Sequence, residues 1–257
     1  VSSRQKIGAI QDYCNRSELH LDPKVFLTDC HTYSGGFDCC QKLLDSGTEL
    51  PDAIIVDVNV ITGAPVRQLQ AGIGDTISKY TALIDWKLAY EARNSRVDDF
   101  AYMISKMAFN TICYSDGMEL KSKDFIKLLT QALVMGGLAM EIAGDSRPAS
   151  GSEHLFCHAL EENFSEQVNV THGIAVAMGS YGACIFQNRN IGKITRLLKQ
   201  YKLPVKPSFW GITEEIFVAA WQQASYSRPD RYTILNETDL SYERLAGIYK
   251  EMEELFA

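Results

Sequence analysis

Two hydrophobic patterns divide the chain near residues 63–65. In residues 1–65, short apolar runs alternate with helical stretches. The β-branched run at residues 54–56, bounded by turn residues, predicts a buried strand. From residue 66 onward there is almost no strand pattern, and apolar positions recur at intervals of three and four. We therefore predict an N-terminal α/β part, residues 1–65, followed by an all-α domain, residues 66–257.

The second part divides into predicted helices. Residues 66–94 form one long predicted helix, with Gly72 and Gly74 at its beginning and Asp75 opening the segment that follows them. The remaining predicted helices cover residues 96–114, residues 121–144, two stretches between Ser146 and Gly173, and then residues 189–200, 211–225 and 240–256.

Composition narrows the classes of protein that fit. The chain has 257 residues, 46% of them apolar, and a net charge of −7. It has no basic stripe, so nucleic acid is not an expected partner. The seven cysteines are odd in number and form no CxxC pair, which favours reduced thiols and a cytoplasmic location. Since no apolar run approaches ~18 residues, we expect no membrane span.

The segment from Ser146 to Gly173 carries the most informative chemistry, because it holds three of the five histidines. His154 and His158 are four residues apart and share a face of a helix, while His172 follows at a distance that allows the chain to return. Imidazole is a common ligand of divalent transition metals, so this spacing indicates a metal site between two helices. Cys157 is either another ligand or a small buried side chain.

A carboxylate would complete such a site, because a catalytic zinc usually has three protein ligands and an open position. Asp75 is the candidate that stands out among the acidic residues. The alternative for Asp75 is an ordinary acidic residue in the first turn of a helix.

Four segments resemble a known family: AGIGDTISKYTALIDWKLA, GLAMEIAGDSRPASGSEHLFCHALE, THGIAVAMG and RPDRYTIL. They resemble the sn-glycerol-1-phosphate dehydrogenases. These belong to the superfamily of iron-containing alcohol dehydrogenases, glycerol dehydrogenases and dehydroquinate synthases. The resemblance runs from about Pro51 to the C-terminus, and SRPASGSEH is its most discriminating motif.

The resemblance implies a dehydroquinate synthase-like fold, in which a nucleotide-binding part precedes a helical metal-binding domain. It implies that Asp75, His154 and His172 bind one divalent metal, with zinc expected and iron as the variant. His158 matches the second His of the superfamily's HxxxH pattern, where it serves as a proton relay or substrate contact. The alternative for His158 is a hydrogen-bonding residue behind the ligands.

Further side chains are candidates for substrate binding. Arg147 lies close enough in sequence to grip a substrate phosphate, the alternative being a surface residue in a turn. Lys79 stands where iron-dependent alcohol dehydrogenases have an extra His, so it contacts the substrate or pairs with Asp75. Three neighbouring residues are candidates for orienting ligands: Ser150, Ser152 and Glu153.

The chain differs from the family at its N-terminal side. Family members begin with about a hundred residues that this chain lacks, so we expect the nucleotide-binding part to be truncated. The segment KIGAIQDYC at residues 6–14 resembles the family's glycine-rich turn GSGTINDYC and keeps Gly8 and Asp12 as cofactor-binding candidates. Lys6 stands where a glycine permits the backbone to approach the pyrophosphate.

Three functions are compatible with these observations. The leading one is a metal-dependent, NAD- or NADP-linked dehydrogenase that interconverts dihydroxyacetone phosphate and sn-glycerol 1-phosphate. The second is a dehydroquinate-synthase-like cyclase of a sugar phosphate, although Asp75 stands where cyclases usually have Glu. The third is a metal-binding pseudoenzyme, which the altered glycine turn supports. The resemblance also implies a small phosphorylated substrate and self-association into a homo-oligomer.

Overall fold

The computed structural model describes residues 62–256, and this part is helical without a strand. Its α-helices are α1 Val66–Ile77, α2 Lys79–Glu91, α3 Asp99–Cys113, α4 Lys123–Ala143, α5 Ser152–Asn163, α6 His172–Phe186, α7 Ile191–Gln200, α8 Glu214–Gln223 and α9 Tyr242–Leu255. Short 3-10 helices lie at Pro207–Trp210, Ala224–Ser227 and Ile234–Asn236. The all-α prediction is confirmed for these residues. The predicted α/β part before residue 62 lies outside them, so the proposed domain boundary stays a prediction.

Helix α6 is the central element of this helical part. Helices α1, α2, α5 and α7 all pack against it. Thirteen of its fifteen residues are buried, and most of them are alanine, glycine or aliphatic residues. A helix that is apolar on every side has to be covered on every side, and small side chains let the neighbouring backbones come close.

The closest approach is between α1 and the first turn of α6, at Gly74 and Gly173. A Cβ atom on Gly74 would overlap the carbonyl oxygen of Gly173, and one on Gly173 would overlap the backbone of Ala71. Glycine at both positions therefore lets the two helices touch through their backbones. Asp75 follows Gly74 and His172 precedes Gly173, so this contact places Asp75 and His172 beside each other.

A second close approach joins α6 to α5. A Cβ atom on Gly179 would lie 2.5 Å from the carbonyl oxygen of Glu153 and 2.9 Å from its Cα atom. Helix α5 is therefore held directly against the central helix at the residue before His154. The two glycine contacts together bring three helices, α1, α5 and α6, to one place.

The first predicted helix is in fact two helices, α1 and α2, interrupted at Ser78. The Ser78 hydroxyl donates to the carbonyl oxygens of Asp75, at 2.7 Å, and Ala149, at 3.2 Å. Serine hydroxyls compete in this way with the regular helical pattern. The expectation for Asp75 was also wrong, because Asp75 lies in the last turn of α1 and does not open a helix. Gly72 and Gly74 likewise lie inside α1, where the glycines serve packing.

Helix α4 bears on the expectation about membrane spans. Within the described residues it is the one helix with the length and apolar composition of a membrane-crossing segment. It packs along α3 and α1, and one face of it is buried there: Phe125, Ile126, Leu129, Ala132, Gly136 and Ala139. Length and composition alone are weak evidence of a span, so the expectation of no membrane span stays a prediction. Packing of this face in the core accounts for only part of the apolar composition, because Val134 and Leu138 are exposed.

The helix contact at Gly74 can be tested by adding a methyl group. Gly74→Ala should lower the free energy of unfolding by about 2–3 kcal/mol, because the new Cβ has no room against the backbone of α6. Urea unfolding followed by tryptophan fluorescence measures this.

Gly247→Ala is the matched control, since Gly247 lies inside α9 and an added Cβ would have no atom within 4 Å. It should raise the free energy of unfolding by up to about 1 kcal/mol through helix propensity. Equal effects of the two substitutions would contradict the proposed role of Gly74.

Candidate metal centre

The structure brings together the three side chains that the sequence proposed as metal ligands. Asp75 comes from α1, His154 from α5 and His172 from α6, and one ligand atom of each lies within 4.8 Å of the others. The Oδ1 atom of Asp75 is 4.0 Å from Nε2 of His154 and 3.9 Å from Nε2 of His172. Two imidazole nitrogens and one carboxylate oxygen form the set of three protein ligands that is typical of catalytic zinc sites.

The state of Asp75 supports a cation at this place. Its Oδ1 atom is buried, and no hydrogen-bond partner for it exists among residues 62–256. Burial raises the pKa of Asp75, although the nearby His154 and His172 act in the opposite direction. A buried carboxylate oxygen without a partner is costly, and a divalent ion between the two histidines would satisfy it. The residues present therefore fit a metal.

His154 is oriented by a buried carboxylate. Oε1 of Glu153 lies 3.0 Å from Nδ1 of His154, and the Glu153 side chain is fully buried. The carboxylate also accepts from the Gly151 amide at 2.6 Å and from the Thr81 hydroxyl at 2.8 Å. Because Glu153 receives Nδ1–H of His154, the Nε2 lone pair is left to face Asp75, an arrangement common behind metal-binding histidines.

His172 has an equivalent support in Glu161, which the sequence analysis did not identify. Oε1 of Glu161 lies 2.8 Å from Nδ1 of His172, and its Oε2 lies 3.4 Å from Nδ1 of His158. One carboxylate thus contacts two imidazoles, each through the nitrogen Nδ1. The spacing of Glu161 three residues after His158 on one helix was the sequence signal that could have indicated it.

Cys157 lies behind His172 and is buried. Its Sγ atom is 3.3 Å from Nδ1 of His172. Burial strongly raises the pKa of the Cys157 thiol, and the nearby Glu161 carboxylate raises it further. The Sγ atom also lies within 4.8 Å of ligand atoms of Glu161 and His172, so the geometry is compatible with both interpretations of Cys157.

A cavity of about 350 Å³ opens beside the three ligands. Six of the residues proposed from the sequence line it: Asp75, Lys79, Ser150, His154, His158 and His172. Helix α4 supplies another wall, which the sequence analysis did not assign: Leu133, Gly136, Gly137 and Met140. The cavity is in the size range of small-molecule sites and combines an apolar wall with converging polar groups.

Lys79 and His158 are the titratable groups beside the three ligands in this cavity. The Nζ atom of Lys79 donates to the backbone carbonyl of Asp75 at 3.0 Å, so its partner is the main chain and not the carboxylate. Burial lowers the pKa of Lys79 to about 8, against the opposing effect of Asp75. Burial also lowers the pKa of His158. Lys79 can therefore change protonation at mildly alkaline pH, and the lowered pKa of His158 favours its neutral form.

Arg147 does not line the cavity. Its guanidinium donates to Oδ1 of Asn94 at 2.7 Å and to the carbonyl oxygen of Tyr232 at 3.1 Å. It thereby ties the turn before α5 to two distant segments. The arginine that does reach residues of the cavity wall is Arg231, which the sequence analysis passed over although it lies in the RPDRYTIL segment.

Asp85 anchors the beginning of α5 from within the core. Its Oδ2 accepts from the Ser152 amide at 2.6 Å, and its Oδ1 accepts from the Ile234 amide at 2.9 Å and from Nε2 of Gln187 at 3.0 Å. Burial, followed by the nearby charge of Glu153, raises the pKa of Asp85 to about 6. The cofactor-binding candidates Gly8 and Asp12 lie outside the described residues.

Two similar curated proteins share one name, while no protein-family model matches the chain. Glycerol-1-phosphate dehydrogenase [NAD(P)+] of Sulfurisphaera tokodaii is 40% identical over 202 residues, which are 78% of this chain and 57% of that protein. The protein of the same name from Methanosarcina mazei is 38% identical over 259 residues, 97% of this chain and 71% of that protein. The chain thus spans less than two thirds of the first of these relatives.

Solved structures add a comparison of the fold. Glycerol dehydrogenase from Schizosaccharomyces pombe matches with a TM-score of 0.61 at 20% sequence identity. The match covers 80% of this chain and 55% of that one. At this identity the likeness shows the fold alone, and it agrees with the superfamily fold expected from the sequence.

The role of Glu161 can be tested by metal binding. Glu161→Gln should weaken the affinity for a divalent metal by roughly 10- to 100-fold, because an amide cannot accept hydrogen bonds from both imidazoles. Titration of the metal-free protein with Co²⁺, followed by its visible absorption, measures the dissociation constant. Glu162→Gln is the matched control, since Glu162 is half-exposed and its side chain is near Arg228, at 3.9 Å. The same affinity in both variants would contradict the role of Glu161.

The raised pKa of Asp85 predicts a pH dependence of stability. The folded state holds the Asp85 proton up to about pH 6, whereas the unfolded chain loses it near pH 3.8, so acidification favours the folded state in this interval. Relative to Asp85→Asn, the free energy of unfolding should fall by about 3 kcal/mol as pH rises from about 4 to about 6, and then stay level. Urea unfolding of both proteins across this range measures the difference, and parallel curves would refute the prediction.

Proposed function

This chain belongs to the glycerol-1-phosphate dehydrogenase family, and from that premise we propose that it is a metal-dependent, NAD(P)-linked polyol-phosphate dehydrogenase. The reaction is the interconversion of dihydroxyacetone phosphate and sn-glycerol 1-phosphate. The observation that carries the proposal is the convergence of Asp75, His154 and His172 at the cavity, with Oδ1 of Asp75 buried and without a hydrogen-bond partner among residues 62–256.

We assign the metal to these three residues and propose zinc, with iron as the variant. A bound divalent ion would act there as a Lewis acid on the oxygen of the carbon that exchanges hydride. The protein's own contribution is to fix the three ligands before binding. Glu153 and Glu161 do this from behind, by receiving Nδ1–H of His154 and His172.

His158 is proposed to hold and move the proton at the C2 oxygen of the substrate. It lines the cavity, and its Nδ1 faces Oε2 of Glu161, so Nε2 is left for the substrate. Since burial lowers the pKa of His158, its neutral form can take up a proton at neutral pH.

Lys79 is proposed to hold a substrate oxygen. An ammonium group has three donors, and the Asp75 carbonyl uses one of them. Lys79 lines the cavity, so its other two donors can reach a substrate there. A cation placed here orients an electron-rich substrate oxygen next to the metal ligands.

A nicotinamide cofactor is the proposed hydride donor, because the similar proteins are named for NAD(P)+. NAD and NADP are both candidates. The relatives are matched over only part of their length, so the cofactor, the substrate and the activity of this chain rest on this proposal and not on the comparison alone.

The experiment follows the absorbance of NADH and of NADPH when zinc-loaded protein meets dihydroxyacetone phosphate. The reduced cofactor should be oxidised, the reaction should stop on chelation, and zinc should restore it. His172→Ala and Asp75→Asn should lose both the bound zinc and turnover. Asp116→Asn, which removes a carboxylate at the exposed pair with Arg196, should keep both.

Other outcomes would point elsewhere. Turnover of a sugar phosphate without net loss of reduced cofactor would indicate a cyclase. Tight zinc binding without any binding of NADH or NADPH would indicate a pseudoenzyme. Full activity of His172→Ala with its metal retained would overturn the assignment of the metal site.

A further inference from the structure

Arg231 reaches two serines of the cavity wall from behind. Its guanidinium donates to the hydroxyl oxygen of Ser146 at 2.8 Å and to that of Ser150 at 3.2 Å. It also donates to the backbone carbonyl of Ser150 at 2.9 Å. Ser146 and Ser150 both line the cavity that contains the metal ligands. One arginine thus fixes two hydroxyl groups at the edge of the same cavity.

The direction of these hydrogen bonds decides what the serines can do. A guanidinium has donors only, so each serine oxygen has to accept from Arg231 and keeps its own O–H hydrogen for another partner. Among residues 62–256, no acceptor is present for the hydroxyl hydrogen of either serine. Both serines are therefore available as donors to a ligand, and the positive charge behind them strengthens that donation.

Two cations serve this part of the cavity. The Lys79 ammonium lines it, and the Arg231 guanidinium bonds directly to the two serines. Three carboxylates also act on the charge of Arg231, namely those of Asp145, Glu153 and Asp230. A phosphate monoester has several oxygens that accept hydrogen bonds and carries about two negative charges. Two hydroxyl donors backed by a guanidinium match such a group.

We propose that Ser146 and Ser150, oriented by Arg231, form the subsite that holds the phosphate of the substrate. This inference rests on the proposed function, because it takes the substrate to be a polyol phosphate. Ser146 and Ser150 bind the phosphate oxygens directly, and Arg231 is a positioning residue that acts through them. We assign no direct phosphate contact to Arg147, because its guanidinium donates to Asn94 and Tyr232 and does not line the cavity.

The experiment compares a substrate that has the phosphate with one that lacks it. The double variant Ser146→Ala/Ser150→Ala and the single variant Arg231→Met are assayed with dihydroxyacetone phosphate and with dihydroxyacetone. The kcat/KM for dihydroxyacetone phosphate should fall roughly 10- to 100-fold in both variants, mainly through KM. The value for dihydroxyacetone should change by less than about threefold, because no phosphate contact is lost.

Two controls match these substitutions. Arg196→Met removes an exposed arginine that pairs with Asp116, and Ser95→Ala removes a hydroxyl that bonds to the neighbouring Arg96 carbonyl. Neither residue lines the cavity. Both controls should keep the wild-type preference for the phosphorylated substrate.

Calorimetric titration with inorganic phosphate gives a second readout that needs no turnover. The wild-type protein should bind phosphate, and the double serine variant should bind it at least tenfold more weakly. If the wild-type protein turned over neither substrate, the proposed function would fail, while this titration would still support or overturn the subsite. Equal losses of kcat/KM for both substrates, or unchanged phosphate binding in the double variant, would overturn it.

Discussion

The contact between Gly74 of α1 and Gly173 of α6 is the constraint on which the rest of the site depends. Two helices that carry no side chain at their crossing can touch through their backbones. Their separation is smaller than any residue other than glycine would allow. Asp75 follows Gly74 in the chain and His172 precedes Gly173. The contact between the glycines therefore sets the distance between these two proposed metal ligands. Gly179 acts in the same way for α5 and thereby for His154. Helix packing therefore sets the geometry of the proposed ligands.

Around this crossing the protein places buried carboxylates, and two of them are compensated by hydrogen bonds. Glu153 receives hydrogen bonds from a backbone amide, a hydroxyl and an imidazole, and Asp85 receives three from groups distant in sequence. Buried charges are costly without such partners. The exception is Oδ1 of Asp75, which is buried and unpaired in the described part of the chain. This contrast supports the proposed cation at that position.

The residues that line the cavity belong to two chemical groups. One group is the imidazoles and the Asp75 carboxylate, which are suited to a divalent metal and to proton movement at a substrate oxygen. The other group is the hydroxyls of Ser146 and Ser150, to which Arg231 donates. A substrate with both a hydroxyl or carbonyl group and a phosphate would use both groups, and this is the combination that the proposed function requires.

The sequence by itself determined most of the helices, because a period of three to four residues is a local property of an amphipathic helix. It also indicated the proposed metal site, since three histidines lie between Ser146 and Gly173 and a family resemblance selected Asp75, His154 and His172 as the ligands. Only the tertiary structure decided that Ser78 interrupts the first helix, that Arg147 turns away from the cavity and that Asp85, Glu161 and Arg231 support the site. The physical reason is that these roles depend on partners brought close by helix packing. Asp85 and Ile234 are 149 residues apart in the chain, and Arg231 and Ser146 are 85 apart, so no local pattern records that they meet.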